Sequence, residues 1–501
     1  MKINKPLIQS IGLTFASRLI GFLRLILETT LLGLTGITDA YQAAFRLTNF
    51  FREVFGEGAI GSVFTPMYAN SVEKEGKQRS QNFFWTATAL SCLGSIFLFL
   101  FLILNLEWIL NVWMPELPQA SKKWVLILAP IMLPYLICVA TASMFMVMHQ
   151  IKGRFIYSSL HPILFSISVI LFGLWNPTDN HAKSLAWGVI SGGLLQLGLL
   201  SLTLNYPLPK INFFREQLPK IRKLLLLLIP IILALIVHRT NRLIDLYFAA
   251  GLASGSLSSL SYSFVLINVP LGLISVASNA VFYPVISRLK AEEKFTQYQN
   301  AVISNLNFIS LLGFWSMGLL VFHSHSLVNY LFIDIPTWIG FSTQFDQRAA
   351  GLMGDALQYY SVGLGFLILN PYLIKLFHSH LDTRFPAKLA VLMVLINVLL
   401  NYYLTPILFH RGIALATSTV AICFCLLLIC GLQIKSYINI STKNIFQWFS
   451  KLVLSMIIFG ACIQFTLPFG LFGQIIIPSM IYFGFWHLVE LRTANVVDPL
   501  T

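Results

Sequence analysis

The stretch LVLSMIIFGACIQFTLPFGLFGQIIIPSMIYFGFWHL (452–488) contains no lysine, arginine, aspartate or glutamate. A helix needs about 20 consecutive apolar residues to cross the hydrocarbon core of a bilayer. Because lipid offers no hydrogen-bond partners to the backbone, only helices and closed barrels span it. The stretch does not alternate with period two, which excludes barrel strands. It therefore predicts a pair of membrane helices.

Similar apolar runs recur along the whole chain. Hydrophobic residues make up 57% of the 501 residues, charged residues only 10%, and the mean hydropathy is +0.77. A soluble domain carries roughly 25% charged residues, so this composition excludes one. We predict an all-α polytopic membrane protein with about fourteen transmembrane helices, at 7–34, 38–68, 82–106, 124–149, 156–176, 183–205, 222–250, 254–286, 297–322, 351–377, 386–406, 411–434, 448–468 and 471–490.

The distribution of lysine and arginine orients these helices, because basic residues concentrate in cytoplasmic loops. If the N-terminus is cytoplasmic, the cytoplasmic segments hold 22 lysines and arginines and the opposite loops hold 5. This bias predicts a multi-pass protein of the bacterial cytoplasmic (inner) membrane with both termini in the cytoplasm. The formal net charge of +14 then reflects topology and contact with the anionic phospholipid bilayer, so we expect no nucleic-acid partner.

A basic stretch with two prolines in its first four residues, YPLPKINFFREQLPKIRK (206–223), separates the first six predicted helices from the rest. Two six-helix lobes are a usual plan of alternating-access transporters. We therefore predict an N-terminal lobe over 1–205, an interfacial linker over 206–223 and a C-terminal lobe over 224–434. Two further helices follow in 435–501.

Apart from basic residues near the ends of the spans, which the count above assigns to the loops, six basic residues lie within the predicted spans, and all six are arginines. A charge inside the bilayer costs several kcal/mol, so it usually faces a cavity or a partner. The guanidinium fork matches phosphate oxygens bidentately, and this pattern predicts a cationic cavity for a phosphate or pyrophosphate. The alternative is that the arginines reach lipid headgroups or join helices. The six are Arg18, Arg24, Arg46, Arg52, Arg239 and Arg242.

The seventh predicted helix carries Arg239, Arg242 and Asp245 at steps of three, on one face. Two interpretations stay open for its acid. Asp245 could be neutralised by Arg242, or it could join the neutral oxygens of Asn397, Asn401 and Thr417 around a small cation. No Walker loop, HExxH motif or serine elbow is present, so nothing in the sequence indicates an enzyme or the use of ATP.

Two N-terminal segments, ASRLIGFLRLILETTLLG (16–33) and TDAYQAAFRLTNFFREVFGEGAIGSVFTPMY (38–68), closely resemble the start of the MurJ/MviN lipid II flippases. The resemblance continues through LAWGVISGGLLQL (185–197) and FAAGLASGSLSSLSYSFVLINVPLGLISVA (248–277). That family belongs to the multidrug/oligosaccharidyl-lipid/polysaccharide exporter superfamily. The resemblance implies two lobes, fourteen helices, a cationic central cavity and a groove for a polyprenyl tail in the last two helices.

The resemblance also assigns residues to roles. Arg18, Arg24 and Arg52 stand at the family's essential arginines, and Arg239 or Arg242 is the candidate to replace a family arginine whose position holds Val265. Asn401 stands where an acid is usual in the family's sodium site, so only one carboxylate is left there. Further matching positions are Ser17, Asp39 and Glu57 of the N-terminal motif, and Asp245, Asn397, Asn401, Ile413 and Thr417 of the sodium site.

The predicted function is that of a flippase, which moves lipid II from the cytoplasmic to the outer leaflet by alternating access. We expect it to work as a monomer without a cofactor, with sodium as the one candidate ion. One alternative is a flippase for another polyprenyl-pyrophosphate glycan, such as an O-antigen unit. A multidrug cation antiporter would want acids rather than arginines in its cavity, and a non-transporting membrane scaffold would use its arginines only to recruit anionic lipid.

Overall fold

The computed structural model describes residues 5–55, 59–178, 180–204, 206–207, 214–438, 450, 453–454, 456–462 and 470–494. The regular structure within these residues is helical, which confirms the predicted fold class. The helices are α1 (Lys5–Leu32), α2 (Gly36–Phe55), α3 (Ala59–Leu104), α4 (Leu106–Trp113), α5 (Gln119–Met132), α6 (Tyr135–Ile151), α7 (Phe155–Trp175), α8 (His181–Leu204), α9 (Phe214–Ala250), α10 (Ser256–Leu271), α11 (Ala277–Ala291), α12 (Phe295–Asn329), α13 (Ile335–Trp338), α14 (Gln347–Ser361), α15 (Leu364–Ser379), α16 (Arg384–Leu408), α17 (His410–Ile434) and α18 (Gly470–Ala494).

Several helices contain a local break or end at one. The break in α3 falls at Gly76, whose φ of 80° is a conformation that favours glycine. Pro134 separates α5 from α6, because proline has no N–H to continue the helical ladder. A π-helical segment, Gly272–Val276, directly follows α10 and its Pro270. The second π-helical segment, Tyr330–Asp334, follows α12.

Each of the fourteen predicted spans overlaps helical residues of the described chain. Eight helical segments among these residues are long and apolar enough to cross a membrane. A ninth is added if α14 and α15, which meet at 43°, form one span. The helices α1, α2 and α9, which carry the six arginines, are not among the eight. The total of fourteen crossings stays a prediction.

Two short helices, α4 and α13, were not predicted from the sequence. Both carry exposed tryptophans, with Trp108 63% and Trp338 70% exposed. Tryptophan is enriched at membrane–water interfaces, where its ring meets the headgroups. Helices of this length are too short to register as spans, which is why hydropathy missed them.

The chain forms two compact units. The first comprises Met1–Ser258 and Phe332–Asp346. Within it α1 packs on α7, α7 on α8, α2 on α5, and α3 on α6 and α9. Its aromatic core includes Phe64, whose ring centroid lies 5.2 Å from that of Phe83.

The second unit comprises Ser259–Leu331 and Gln347–Thr501. Within it α12 packs on α14 and α15, and α16 packs on α17. Trp315 of α12 donates a hydrogen bond from Nε1 to Oγ of Ser479 at 2.9 Å, which attaches α18 to this bundle. The lobe boundaries predicted at 205 and 224 stay a prediction.

Candidate anion-binding site

Arg24 is held inside the first unit by two aromatic rings and a carboxylate. Its Cζ lies 5.6 Å from the ring centroid of Phe45 and 5.2 Å from that of Phe165. Its Nε is 3.5 Å from Oε1 of Glu28, one helical turn further along α1. The Tyr41 hydroxyl lies 3.5 Å from the same oxygen. Rings and carboxylate together fix the orientation of the guanidinium, whose side chain keeps 20% exposure.

The glycines of α8 explain why one of these rings sits where it does. A Cβ atom at Gly192 would lie 2.9 Å from Cδ2 of Phe165 and 3.1 Å from its Cα. One turn earlier, a Cβ atom at Gly188 would lie 2.7 Å from Cα of Val169. Small residues let membrane helices approach closely. The close α7–α8 contact therefore fixes the backbone that carries Phe165.

Arg52 occupies the last turn of α2, on the same face as Phe45 two turns earlier. Its Nε donates a hydrogen bond to Oδ1 of Asn49 at 2.8 Å. The neighbouring Glu53 has its Oε1 3.9 Å from Nη1 of Arg242 in α9. The structure thus brings Arg242 beside α2. The prediction that Arg239 or Arg242 replaces the family arginine missing at Val265 stays a prediction. Pairing of Arg242 with Asp245 stays a prediction.

Asp39, at the start of α2, accepts three hydrogen bonds at the start of α10. They come from the backbone N–H of Gly255 at 2.7 Å, and from the backbone N–H and hydroxyl of Ser258 at 2.8 and 2.6 Å. Gly255 has a φ of +92°, and a Cβ atom there would lie 2.7 Å from the carbonyl oxygen of Leu34. A carboxylate at a helix start satisfies N–H groups that lack helical partners. Asp39 therefore caps α10 in this structure.

The remaining residues of the predicted site differ in their exposure. Arg18 is exposed on α1, and its neighbour Ser17 is partly exposed. Arg46 is half-buried, next to Phe45. Glu57 and the side chain of Arg239 lie outside the described part of the chain.

The candidate sodium ligands divide between the units. Asp245 belongs to the first unit and is partly exposed, whereas the other four belong to the second. Asn397 and Asn401 are both buried, and Nδ2 of Asn401 donates to Oδ1 of Asn397 at 3.1 Å. The Thr417 hydroxyl donates to the carbonyl of Ile413 at 3.3 Å. The described residues contain no cluster of three or more His, Cys, Asp or Glu side chains placed to hold a metal.

Sequence reasoning missed the two rings and the contact between Glu53 and Arg242. Phe45 and Phe165 both lie in segments that the sequence singled out, but a phenylalanine in an apolar span gives no signal of its own. Phe45 follows Tyr41 by four residues and so shares its helix face. This spacing was a weak indication that Phe45 faces the same neighbours as Tyr41.

Solved structures with this fold are transporters. One, described as an inward-closed conformation of lipid II flippase MurJ, aligns over 98% of this chain and 100% of that chain, with a TM-score of 0.83 and 21% identity. Another, an inward-facing multidrug resistance MATE family transporter of the MOP superfamily, covers 85% of this chain and 97% of that chain. Its TM-score is 0.65 at 12% identity. The chain therefore shares the fold of these two solved structures.

The family is shown by sequence. The family model described as "MurJ: Lipid II flippase MurJ" matches residues 29–480, so the chain belongs to this family. A "Probable lipid II flippase MurJ" of Rhizobium meliloti is 29% identical over 81% of this chain and 76% of the relative. A "Lipid II flippase MurJ" of Burkholderia cenocepacia is 25% identical over 86% and 84%. The resemblance noted in the N-terminal segments is confirmed.

Proposed function

We propose that this protein is a lipid II flippase, which carries the peptidoglycan precursor from the cytoplasmic to the outer leaflet of the cytoplasmic membrane. The observation that carries the proposal is family membership over residues 29–480. A flippase must bring a pyrophosphate and its sugars through a hydrocarbon layer. It therefore needs an anion site at membrane depth that can open to each side in turn.

The arrangement of Arg24 and Arg52 supports such a site. The described parts of α1 and α2 bring four arginines into the predicted spans, against the three carboxylates of Glu28, Asp39 and Glu53. Asp39 is engaged by α10, and Glu53 has Arg242 beside it. Among the described residues of these helices, the arginines therefore outnumber the carboxylates, and Arg242 adds one more positive charge beside them. A pyrophosphate would neutralise this charge through bidentate hydrogen bonds. The same excess disfavours an organic cation as substrate.

The finer assignments belong to the same proposal. Both termini face the cytoplasm, since this orientation places most loop lysines and arginines there. The protein works as a monomer and transports without a catalytic step. Ser17, Arg18 and Glu57 take part in the substrate site, and Arg242 supplies the positive charge that the family carries at the position of Val265.

The decisive experiment is depletion of the protein in its native host, followed by extraction of lipid-linked intermediates from each leaflet. We expect lipid II to accumulate in the inner leaflet and to return to the outer leaflet when the gene is restored. Purified protein in liposomes should also make added lipid II accessible on the opposite face. Accumulation of another polyprenyl-pyrophosphate glycan, with lipid II unaffected, would replace lipid II by that glycan. Liposomes with no acceleration over protein-free controls would refute the flippase itself.

A further inference from the structure

The first unit contains a cavity of about 540 Å³ beside Arg52. Its walls come from α3, α6 and α9, and they are mainly leucine, isoleucine, valine and alanine side chains. Pockets of roughly 300–1,000 Å³ enclose ligands of drug-like size. The cavity is therefore large enough for several branched hydrocarbon units.

The cavity opens on the outer surface of the unit. Phe97, Leu225 and Ile229 line it and are 74%, 46% and 52% exposed. Gly94, on the same helix as Phe97, is also exposed and leaves a gap at this edge. A hydrocarbon chain in the bilayer can therefore enter from the side without crossing a polar barrier.

Arg52 is the one charged residue among the described residues that line the cavity. The hydroxyls of the lining serines are turned to backbone carbonyls: Ser91 donates to Ala140 at 3.1 Å and Ser95 to Cys92 at 2.8 Å. The walls consequently favour hydrocarbon, and the single guanidinium favours an anionic group at one end. The hydrogen bond from its Nε to Asn49 fixes the direction of that group's approach.

Two kinds of lipid combine a hydrocarbon chain with an anion, namely a bilayer phospholipid and a polyprenyl pyrophosphate. The proposed flippase function decides between them, because a flippase for lipid II must bind the pyrophosphate of a polyprenyl carrier. The guanidinium of Arg52, in the last turn of α2, matches the oxygens of that group bidentately.

We propose that the cavity binds the first isoprenoid units of the polyprenyl chain while Arg52 binds the pyrophosphate attached to them. This proposal rests on the proposed flippase function and adds a site for the proximal tail within the first unit. The rest of the tail stays outside the cavity. The substrate is then recognised by the direct bond between its pyrophosphate and its isoprenoid chain. This feature is common to polyprenyl-pyrophosphate carriers and absent from phospholipids, in which glycerol separates the phosphate from the acyl chains.

The test measures how binding grows with chain length. The full chain in nanodiscs is titrated with inorganic pyrophosphate, geranyl pyrophosphate and farnesyl pyrophosphate, and empty nanodiscs correct for partitioning. We expect affinity to rise by at least about tenfold from pyrophosphate to farnesyl pyrophosphate, since burial of each branched unit contributes about as much as a leucine side chain. Equal affinities for the three ligands would overturn the proposal.

Gly94→Leu provides the matching variant. A Cβ atom at Gly94 meets nothing within 4 Å, so the added side chain fills the cavity without a clash. The variant should retain pyrophosphate binding and reduce the gain with chain length to less than about threefold. Gly198→Leu is the control, because Gly198 also has open space, lies on α8 and does not line the cavity. A full gain in Gly94→Leu would contradict the proposal.

A second measurement on the unmodified protein identifies the occupant. A photoreactive farnesyl pyrophosphate should label segments 90–98 and 224–232, and excess farnesyl pyrophosphate should suppress the labelling. Equal suppression by phosphatidylglycerol would mean that an ordinary acyl chain occupies the cavity, and the proposal would fall. Flipping of lipid II by the same preparation separates the two claims. Flipping with no labelling refutes only the cavity, whereas labelling without flipping refutes the flippase.

Discussion

The membrane-embedded polar groups of α1 and α2 differ in kind from those of α16 and α17. The first pair of helices carries four arginines together with carboxylates, and Arg24 is enclosed by rings and Glu28. The second pair has no charged residue between Lys388 and Arg411, and its buried asparagines bond to each other. Charges in a bilayer need partners, and neutral amides can satisfy themselves. We therefore expect the anion chemistry of the protein to reside in the first pair.

Replacing the arginines of the first pair should have the largest effect. Arg24→Ala or Arg52→Ala should abolish complementation of a depleted host and reduce lipid II flipping by about 100-fold or more, because a buried charge-assisted bidentate contact is lost. Lysine at either position should rescue poorly, since it keeps the charge but loses the fork. Immunoblots of membranes should show unchanged expression.

Arg288→Ala is the matched control for these variants. Arg288 is 70% exposed and lies 3.8 Å from Glu292 at the surface, so its loss should leave flipping within about twofold of the wild type. Full activity of Arg24→Ala or Arg52→Ala would remove that arginine from the substrate site. The expectation that α1 and α2, rather than α16 and α17, bind the anion would then fail.

The next largest effect concerns the start of α10. Asp39→Ala leaves two backbone N–H groups and a hydroxyl without their acceptor, which should cost about 1–3 kcal/mol of stability. Asp39→Asn keeps one acceptor oxygen and should cost less. Thermal unfolding of the purified protein measures both, with the exposed Glu292→Ala as control. If Asp39→Ala abolishes flipping at unchanged unfolding temperature, Asp39 acts on the substrate rather than as a cap.

Much of this organisation follows from the sequence, because hydropathy and charge are local properties. Each predicted span overlaps helical residues of the described chain, and the six arginines within the spans directed attention to α1, α2 and α9. The partner of Arg24 followed as well, because Glu28 stands four residues further along the helix and its Oε1 lies 3.5 Å from Nε of Arg24. The contact of Arg242 with α2 did not follow. The sequence offered Asp245, three residues after Arg242, but the structure also places Glu53 of α2 3.9 Å from that arginine. Such contacts depend on how helices that are far apart in sequence pack against each other. The periodicity within one helix does not predict its packing partner.

Replacing Phe165 of α7 perturbs Arg24 of the first pair more selectively and with a smaller expected effect. Phe165→Leu removes a ring centred 5.2 Å from the Arg24 guanidinium. A partly desolvated cation–π contact contributes about 0.5–2 kcal/mol, so flipping should decrease roughly 2- to 30-fold. Phe165→Tyr should retain activity because it keeps the ring face. A liposome assay at several lipid II concentrations would measure the change.

Phe155→Leu controls for the general effect of removing a ring from α7, since Phe155 is 47% exposed at the helix start. Gly192→Ala tests the same contact from the other side, because its Cβ would lie 2.9 Å from the Phe165 ring. It should destabilise the protein by about 1–3 kcal/mol. Gly198→Ala, with open space around it, should not. Normal flipping by Phe165→Leu would show that Glu28 alone orients Arg24.

The smallest expected effect lies in the second pair of helices and concerns sodium. A sodium site built from Asp245, Asn397, Asn401 and Thr417 would carry one negative charge, and the Asn397 oxygen already accepts a hydrogen bond from Asn401. Such a site binds weakly, so it adds little stability by mass action. We expect the unfolding temperature of the wild type to be the same in NaCl and KCl at equal concentration. Flipping should likewise be indifferent to the choice of salt.

Asn401→Asp sharpens this last comparison. It restores a carboxylate where the family usually has one, and the buried charge should lower stability in KCl and recover it in NaCl by roughly 1–3 kcal/mol. Asn370→Asp is the control, because Asn370 is also a buried amide of the second unit, hydrogen-bonded to the carbonyl of Ala421 at 3.1 Å. It should lose stability equally in both salts. A sodium-specific rise in the wild type, abolished by Asp245→Asn, would establish the ion site despite Asn401, and Asp245 would then be a ligand rather than a partner of Arg242.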